Sequence, residues 1–217
     1  MAAKKIGVLG SGEVGETLAD GFLKHGHEVM RGTREPSKLG EWKQGAGARG
    51  SVGTFAETAR FAEIVVLAVK GTAAESVVKL AGPENLGGKT VIDTTNPIAD
   101  QPPVNGVLRY FTTLDESLME RLQRLAPAAR FVKAFSSVGK DLMVNPDLPT
   151  RPSMFMCGND EVARREVTEI LDRFGWDTED LGHAEAARAI EPIAMLWCIP
   201  GFLRNDWSHA YRVLRKQ

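Results

Sequence analysis

Gly10-Ser11-Gly12-Glu13-Val14-Gly15 constrains this chain more than any other stretch, because of what flanks it. Before it, Lys4-Lys5-Ile6-Gly7-Val8-Leu9 puts an apolar run behind two charges, the pattern of a buried parallel strand. After it, Val14, Leu18 and Phe22 fall four apart, the apolar stripe of a helix. Strand, glycine turn and helix onset together admit few folds. Gly10 permits the tight turn, Gly12 lets a ligand approach the backbone, and Gly15 brings the helix close to the strand. The N–H groups of a helix's first turn have no partner within the helix, so they favour an anion in front of them. The loop therefore predicts a dinucleotide pyrophosphate site at Gly10, Ser11, Gly12, Glu13 and Val14. The other reading is a glycine-rich turn that binds nothing.

The next segment selects among dinucleotides. His25-Gly26-His27 ends the helix, with Gly26 as a left-handed cap and both histidines as surface turn residues. Glu28-Val29-Met30-Arg31 reads as the second strand. An NAD site places an Asp or Glu at the end of this strand to accept from ribose hydroxyls. Here the strand runs into Arg31-Gly32-Thr33-Arg34 instead. A guanidinium binds a phosphate in a planar fork with charge assistance. Arg34, the Thr33 hydroxyl and Lys38 thus form a candidate 2′-phosphate site, and the expected cofactor is NADP(H). Glu35 is the dissenting acid, although Pro36 behind it marks a loop entering a helix. Arg34 and Lys38 as solvated surface charges is the competing reading.

Residues 37–50 read as a short helix and loop, and Thr54 to Arg60 as a helix capped by Thr54. Glu63 to Val69, Lys89 to Asp93 and Arg130 to Phe135 are apolar strands, with Thr72 capping the helix after the first and an amphipathic helix at Leu114 to Leu125. Strands alternating with helices predict an α/β Rossmann fold, a doubly wound parallel sheet, over residues 1–135. A smaller C-terminal α/β part, 136–217, closes the acceptor site. It contains strands at Met154 to Gly158 and Asp177 to Leu181, and a helix at Asp160 to Arg173. A helix through Trp197 and Cys198 is broken by Pro200-Gly201, and Asn205 to Arg215 forms a closing helix. Met195-Leu196-Trp197, Phe202 and Trp207 serve as core or as walls of a pocket for a flat substrate. Ligands of such sheets sit outside the carboxyl ends of the strands. There, Ala68, Val69, Lys70, Asn96 and Ala134 line the nicotinamide half, with Ser136, Ser137 and Val138 beside the accepting ring. At Lys70 a solvent-facing role competes, and at Asn96 a turn-shaping one.

Composition removes several other functions. The net charge of -1 gives no field toward nucleic acid. No run approaches the length of a membrane span, and the N-terminus enters a strand at once, with no room for a signal peptide. Two distant cysteines, Cys157 and Cys198, fit a reduced cytoplasmic chain, and neither has metal-ligand spacing. No catalytic triad or carboxylate pair stands out.

The chain resembles the NADP oxidoreductase, coenzyme F-420-dependent family nearly end to end. The resemblance lies in Ile6 to Gly15, Gly32-Thr33-Arg34, Val66-Leu67-Ala68-Val69-Lys70, Ile92-Asp93-Thr94-Thr95-Asn96-Pro97, Val132-Lys133-Ala134-Phe135, Phe174-Gly175-Trp176-Asp177 and Ala187 to Pro192. It implies pyrophosphate contacts at Ser11, Glu13 and Val14, and 2′-phosphate contacts at Thr33, Arg34 and Lys38. It also implies hydride transfer between NADP(H) and a deazaflavin (coenzyme F-420), or a flavin such as FMN or FAD, as the small-molecule acceptor. Ser136 departs from the Asn of many relatives, and Asp100 to Thr113 looks like an insertion beside the site. The rivals are a dehydrogenase or imine reductase with Lys133 or Lys140 as proton donor, and a non-catalytic NADP(H)-sensing module. The C-terminal helices are the expected face of a homodimer.

Overall fold

Alternation of side chains along the strands decides the layers of this molecule. The computed structural model describes residues 2–216. Six parallel strands lie in the order β3-β2-β1-β4-β5-β6. They are β1 (Lys5–Leu9), β2 (Glu28–Gly32), β3 (Gly50–Gly53), β4 (Ile64–Leu67), β5 (Thr90–Asp93) and β6 (Arg130–Lys133). Ile6, Val8, Ile64, Val66, Ile92 and Val132 point to one face, whereas Leu9, Val65, Leu67, Val91 and Phe131 point to the other. Both sets are buried, so each face must be covered by helices.

On the first face lie α1 (Glu13–Lys24), through Leu18 and Phe22, and α7 (Glu161–Arg173), through Val167, Ile170 and Leu171. The second face carries α3 (Phe55–Phe61), α4 (Gly71–Ala81) and α6 (Leu118–Leu125), with Ala59, Val78 and Leu122 against the sheet. Short helices α2 (Gly40–Gly45) and α5 (Pro83–Leu86) fill the connections. The strand order reverses between β1 and β4, which opens a crevice at their carboxyl ends.

β7 (Ser153–Met156) and β8 (Asp177–Asp180) form a separate parallel pair, joined to β6 by an antiparallel bridge from Lys133 to Cys157. Met154, Met156, Phe174 and Trp176 share the core of the first face, so apolar packing continues past residue 135. The last helix, α8 (Ala187–Arg204), sets Ala187 and Ile190 against the second face.

Several local expectations are corrected. The loop read through residue 50 leads into edge strand β3, whose Gly-Ser-Val-Gly sequence carries no apolar alternation. Thr54 does cap α3, in a reciprocal box with Glu57, but the N-cap of α4 is Lys70 rather than Thr72. His27 is buried, not a surface residue: it lies edge-on to Phe22, and its Nδ1 accepts the Lys4 amide at 3.1 Å. Pro192 and Pro200 both lie inside α8, which runs on until Asn205 turns left-handed at φ 55°. Asn205 to Arg215 is not helical. The Tyr211 carbonyl accepts the Ser153 amide at 2.8 Å, and the Val213 amide donates to Ser153 Oγ at 3.1 Å. The open edge of β7 captures this segment, because an unpaired strand edge is a strong acceptor of extended chain. One stretch, Ala184–Arg204, is long and apolar enough, by length and composition, to cross a membrane, with mean hydropathy 1.3 and 33% of it buried in the protein.

Candidate functional site

A groove of about 620 Å³ opens where β1 and β4 end. Gly10, Ser11, Gly12, Glu13 and Val14 line it on one side, and Ala68, Val69 and Lys70 on another. Thr33 and Arg34 close one end. Three expected segments, distant in sequence, are thus brought together.

The glycines act by separate physical means. Gly10 has φ +153°, and a Cβ there would run into the carbonyl of Ala68. At Gly15 a Cβ would lie 2.9 Å from the Gly10 carbonyl oxygen, so helix and turn could not close. A Cβ on Gly12 would meet nothing within 4 Å, so the space above it is open. Gly12 is also the N-cap of α1 and supplies no side-chain cap. The first-turn N–H groups of a twelve-residue helix therefore face the groove without a side-chain acceptor. This is the donor set that suits a pyrophosphate.

The basic residues after β2 take different places. Arg31 is fully buried: Nη1 donates to Glu16 at 3.0 Å, Nη2 to the Gly12 carbonyl at 3.2 Å, and the guanidinium lies 5.1 Å from the Trp42 ring. Its charge holds the glycine loop from below. Arg34 is exposed on the groove and has no ion-pair partner among the described residues. Thr33 is buried beside it, with its amide donating to the Gly53 carbonyl at 3.1 Å. Lys38 does not enter this groove. Its ammonium pairs with Glu35 at 2.9 Å and lines a neighbouring cleft of about 670 Å³ with Trp42 and Arg49. The Lys38 hydrogen bond holds the Glu35 carboxyl below its usual range.

At the other end the turns after β5 and β6 meet. Asn96 Nδ2 donates to the Ser136 carbonyl at 2.7 Å. Asn96 Oδ1 and Ser136 Oγ are buried with no partner. A buried polar atom left unpaired is costly, so both atoms suit a polar ligand. Ala134 is buried, with its amide donating to the Asp93 carbonyl at 3.1 Å; Ser137 and Val138 are buried beside it. Lys70 is exposed and 3.9 Å from Asp100. Two features escaped sequence reading. Thr94 lines the groove and ties back through Oγ1 to the Leu67 carbonyl at 3.0 Å. Phe135 is fully packed yet left-handed at φ 60°, a strained state for an aromatic residue.

Neither lysine suggested as a proton donor is free. The Lys140 ammonium pairs with Glu13 at 3.0 Å. Lys133 is fully buried between Asp93 and Glu191. Burial presses its ammonium pKa down, but the two carboxylates raise it further, so it stays above the ordinary lysine value. Among the described residues no group of three His, Cys, Asp or Glu side chains is arranged to hold a metal.

The family model described as "NADP oxidoreductase coenzyme F420-dependent" matches residues 5–97. The crystal structure of a putative F420-dependent NADP-reductase from Arthrobacter sp. FB24 is 31% identical, with TM-score 0.90, over 99% of this chain and 100% of that one. The chain belongs to the F420-dependent NADP oxidoreductase family. The fold is the family's α/β one, and the family is one of NADP-dependent oxidoreductases. The F420-dependent NADP reductase of Methanocaldococcus jannaschii is 28% identical over 88% of this chain and 90% of its own. Metalloreductase STEAP3 of Rattus norvegicus is 29% identical over 93% of this chain, which spans only 39% of that protein. The imine reductase of Streptomyces aurantiacus, 18% identical with TM-score 0.67, shares the fold.

Proposed function

We propose that this oxidoreductase moves hydride between NADP(H), held in the groove, and a deazaflavin such as coenzyme F420, or a flavin. The observation that carries the reading is the division of the groove: at one end Arg34, with no ion-pair partner among the described residues, and beyond the other Asn96 Oδ1 and Ser136 Oγ, buried with no partner among them. The uncapped start of α1 lies between them and neutralises pyrophosphate. Thr33 and Arg34 take the 2′-phosphate, with Lys38 joining only by leaving Glu35. Ala68, Val69, Thr94, Asn96 and Ala134 shape the nicotinamide end. When bound, NADPH supplies the hydride. The protein's part is to hold two flat rings in register and exclude water, which calls for positioning rather than a general acid. The buried Lys133, ion-paired to Asp93 and Glu191, supports this over a lysine-assisted imine reduction.

The relatives differ by name in what they reduce, and this choice is the experimental question. The same proposal includes a cytoplasmic, homodimeric enzyme whose partner is a small molecule. Stopped-flow mixing of NADPH-loaded protein with oxidised F420 and, separately, with FMN tests it. Rapid loss of reduced-nicotinamide absorbance with one ring is expected. No acceleration with either would sink the proposal and favour an NADP(H)-sensing role.

A further inference from the structure

Beneath the strand-end turns lies a buried group that the hydride-transfer reading leaves unused. Lys133 ends β6 with no exposed surface. Its Nζ is 2.7 Å from Asp93 Oδ2 and 2.9 Å from Glu191 Oε1, and it donates to the Thr95 carbonyl at 2.7 Å. The ammonium thus makes one hydrogen bond, to Thr95, and two ion pairs, and Asp93 Oδ2 has no hydrogen-bond partner of its own. Asp93 Oδ1 accepts from the Thr95 amide at 2.9 Å and from Thr95 Oγ1 at 2.7 Å. Glu191 accepts the Leu118 and Met119 amides, at 3.0 and 3.1 Å, in the first turn of α6. One cation faces two carboxylates, and the start of a helix offsets the surplus negative charge.

This cluster joins three segments far apart in the sequence: the β5 turn, the start of α6 and helix α8. Such buried ion groups rarely exceed well-packed apolar residues in stability. Their distinctive contribution is direction, since every bond has a set length and angle. In the Thr94–Pro97 turn Lys133 holds Thr95, beside the separate ties of Thr94 to Leu67 and of Asn96 to Ser136. Helix α8 is held at Glu191, and it carries Trp197 against Gly139, where a Cβ would come within 2.6 Å of the indole ring. Tyr110, from the inserted loop, donates to the Glu191 carbonyl at 2.7 Å and so follows the same post.

We propose that Lys133, with Asp93 and Glu191, is the positioning post of the site: it fixes the β5 turn and helix α8 relative to each other, and so aligns the nicotinamide with its acceptor. The inference rests on the hydride-transfer reading for its catalytic consequence. Its structural consequence, a changed setting of the nicotinamide, can be measured without turnover.

Glu191→Gln in the full chain is the test, since it removes one charge and nearly keeps the shape. NADPH affinity should stay within about twofold, because the phosphate contacts lie in the distant groove. Single-turnover hydride transfer should fall about tenfold or more, as expected when reacting atoms are slightly misplaced. The circular dichroism of the bound reduced-nicotinamide band should change with it. A merely structural tie would lower the melting temperature but leave the rate and dichroism of the folded variant as in wild type. That result would overturn the proposal. If Glu191→Gln does not fold, Thr95→Val removes only one donor to Asp93 and should slow transfer about threefold, in line with one lost hydrogen bond. An unchanged rate and spectrum there would equally reject the post. If wild type reduces no acceptor, the functional reading fails, and the dichroism comparison alone decides.

Discussion

Replacing Arg34 with alanine separates cofactor choice from folding more cleanly than any other change. The guanidinium is exposed on the groove and pairs with no carboxylate among the described residues, so removing it breaks no ion pair recorded there. Stability should shift by no more than about 0.5 kcal/mol, as for an ordinary surface substitution. Binding is another matter. A lost charged hydrogen bond to a 2′-phosphate costs about 1.5–3 kcal/mol. That converts to a roughly 10- to 150-fold rise in Kd for NADPH. NADH lacks the phosphate, so its Kd should stay within about twofold, the scatter expected where no contact is lost. The interaction is exposed, and the Debye length falls from about 10 Å at 0.1 M salt to about 3 Å at 1 M. The gap between wild type and variant should therefore narrow as salt rises. Fluorescence titration of both cofactors at two ionic strengths measures all of this. Equal losses for NADPH and NADH, or a gap insensitive to salt, would refute the assignment.

Gly10→Ala should abolish measurable cofactor binding and destabilise the fold by about 2 kcal/mol or more, since the new Cβ meets the Ala68 backbone at a φ reserved for glycine; binding at wild-type strength contradicts the turn geometry. Glu120 is held down from 4.5 to about 2, chiefly by hydrogen bonds from Arg188 and then by its cap to Ser117. Its folded pKa is depressed, so it adds stability above pH 4.5 that is lost as pH falls toward about 2. Glu120→Gln should lower stability near neutrality by roughly 1–2 kcal/mol, discounted because Arg188 is partly exposed, and flatten the acid limb of the melting temperature. An unchanged acid limb would show that the pair does not act in this way. Burial pushes the Cys157 thiol up to about 12 and Cys198 up to about 11, so both should resist iodoacetamide at pH 8 until the chain unfolds. Rapid labelling of the native protein would count against this burial.

The parts legible in the sequence are those governed by short-range rules. Gly10, Gly12 and Gly15 could be read because a strand and a helix border them directly, and each glycine answers a local demand. Thr33 and Arg34 were legible because they directly follow a strand whose end lies at the site. Lys38 was less so, since its neighbour Glu35 competes for its charge only once a 3-10 turn brings them together. The tail after Asn205 looked helical by composition, yet the free edge of β7 outweighed a weak local preference. Pro200 looked like a helix end, whereas α8 runs through it to a left-handed Asn205.

By itself, the sequence determined the doubly wound sheet, the glycine turn after β1 and the basic residues after β2, because strand burial and glycine conformation depend on near neighbours. Only the tertiary structure decided which charges are free to meet a ligand. Arg31 and Arg34 stand three residues apart, but one is locked under the glycine loop and the other is open to the groove. Asp93, Lys133 and Glu191 stand in three separate stretches of the sequence, and become a single unit when β5, β6 and α8 come together. The reason is physical: a charge is worth what its surroundings make it, and those surroundings are supplied by segments far away in the chain.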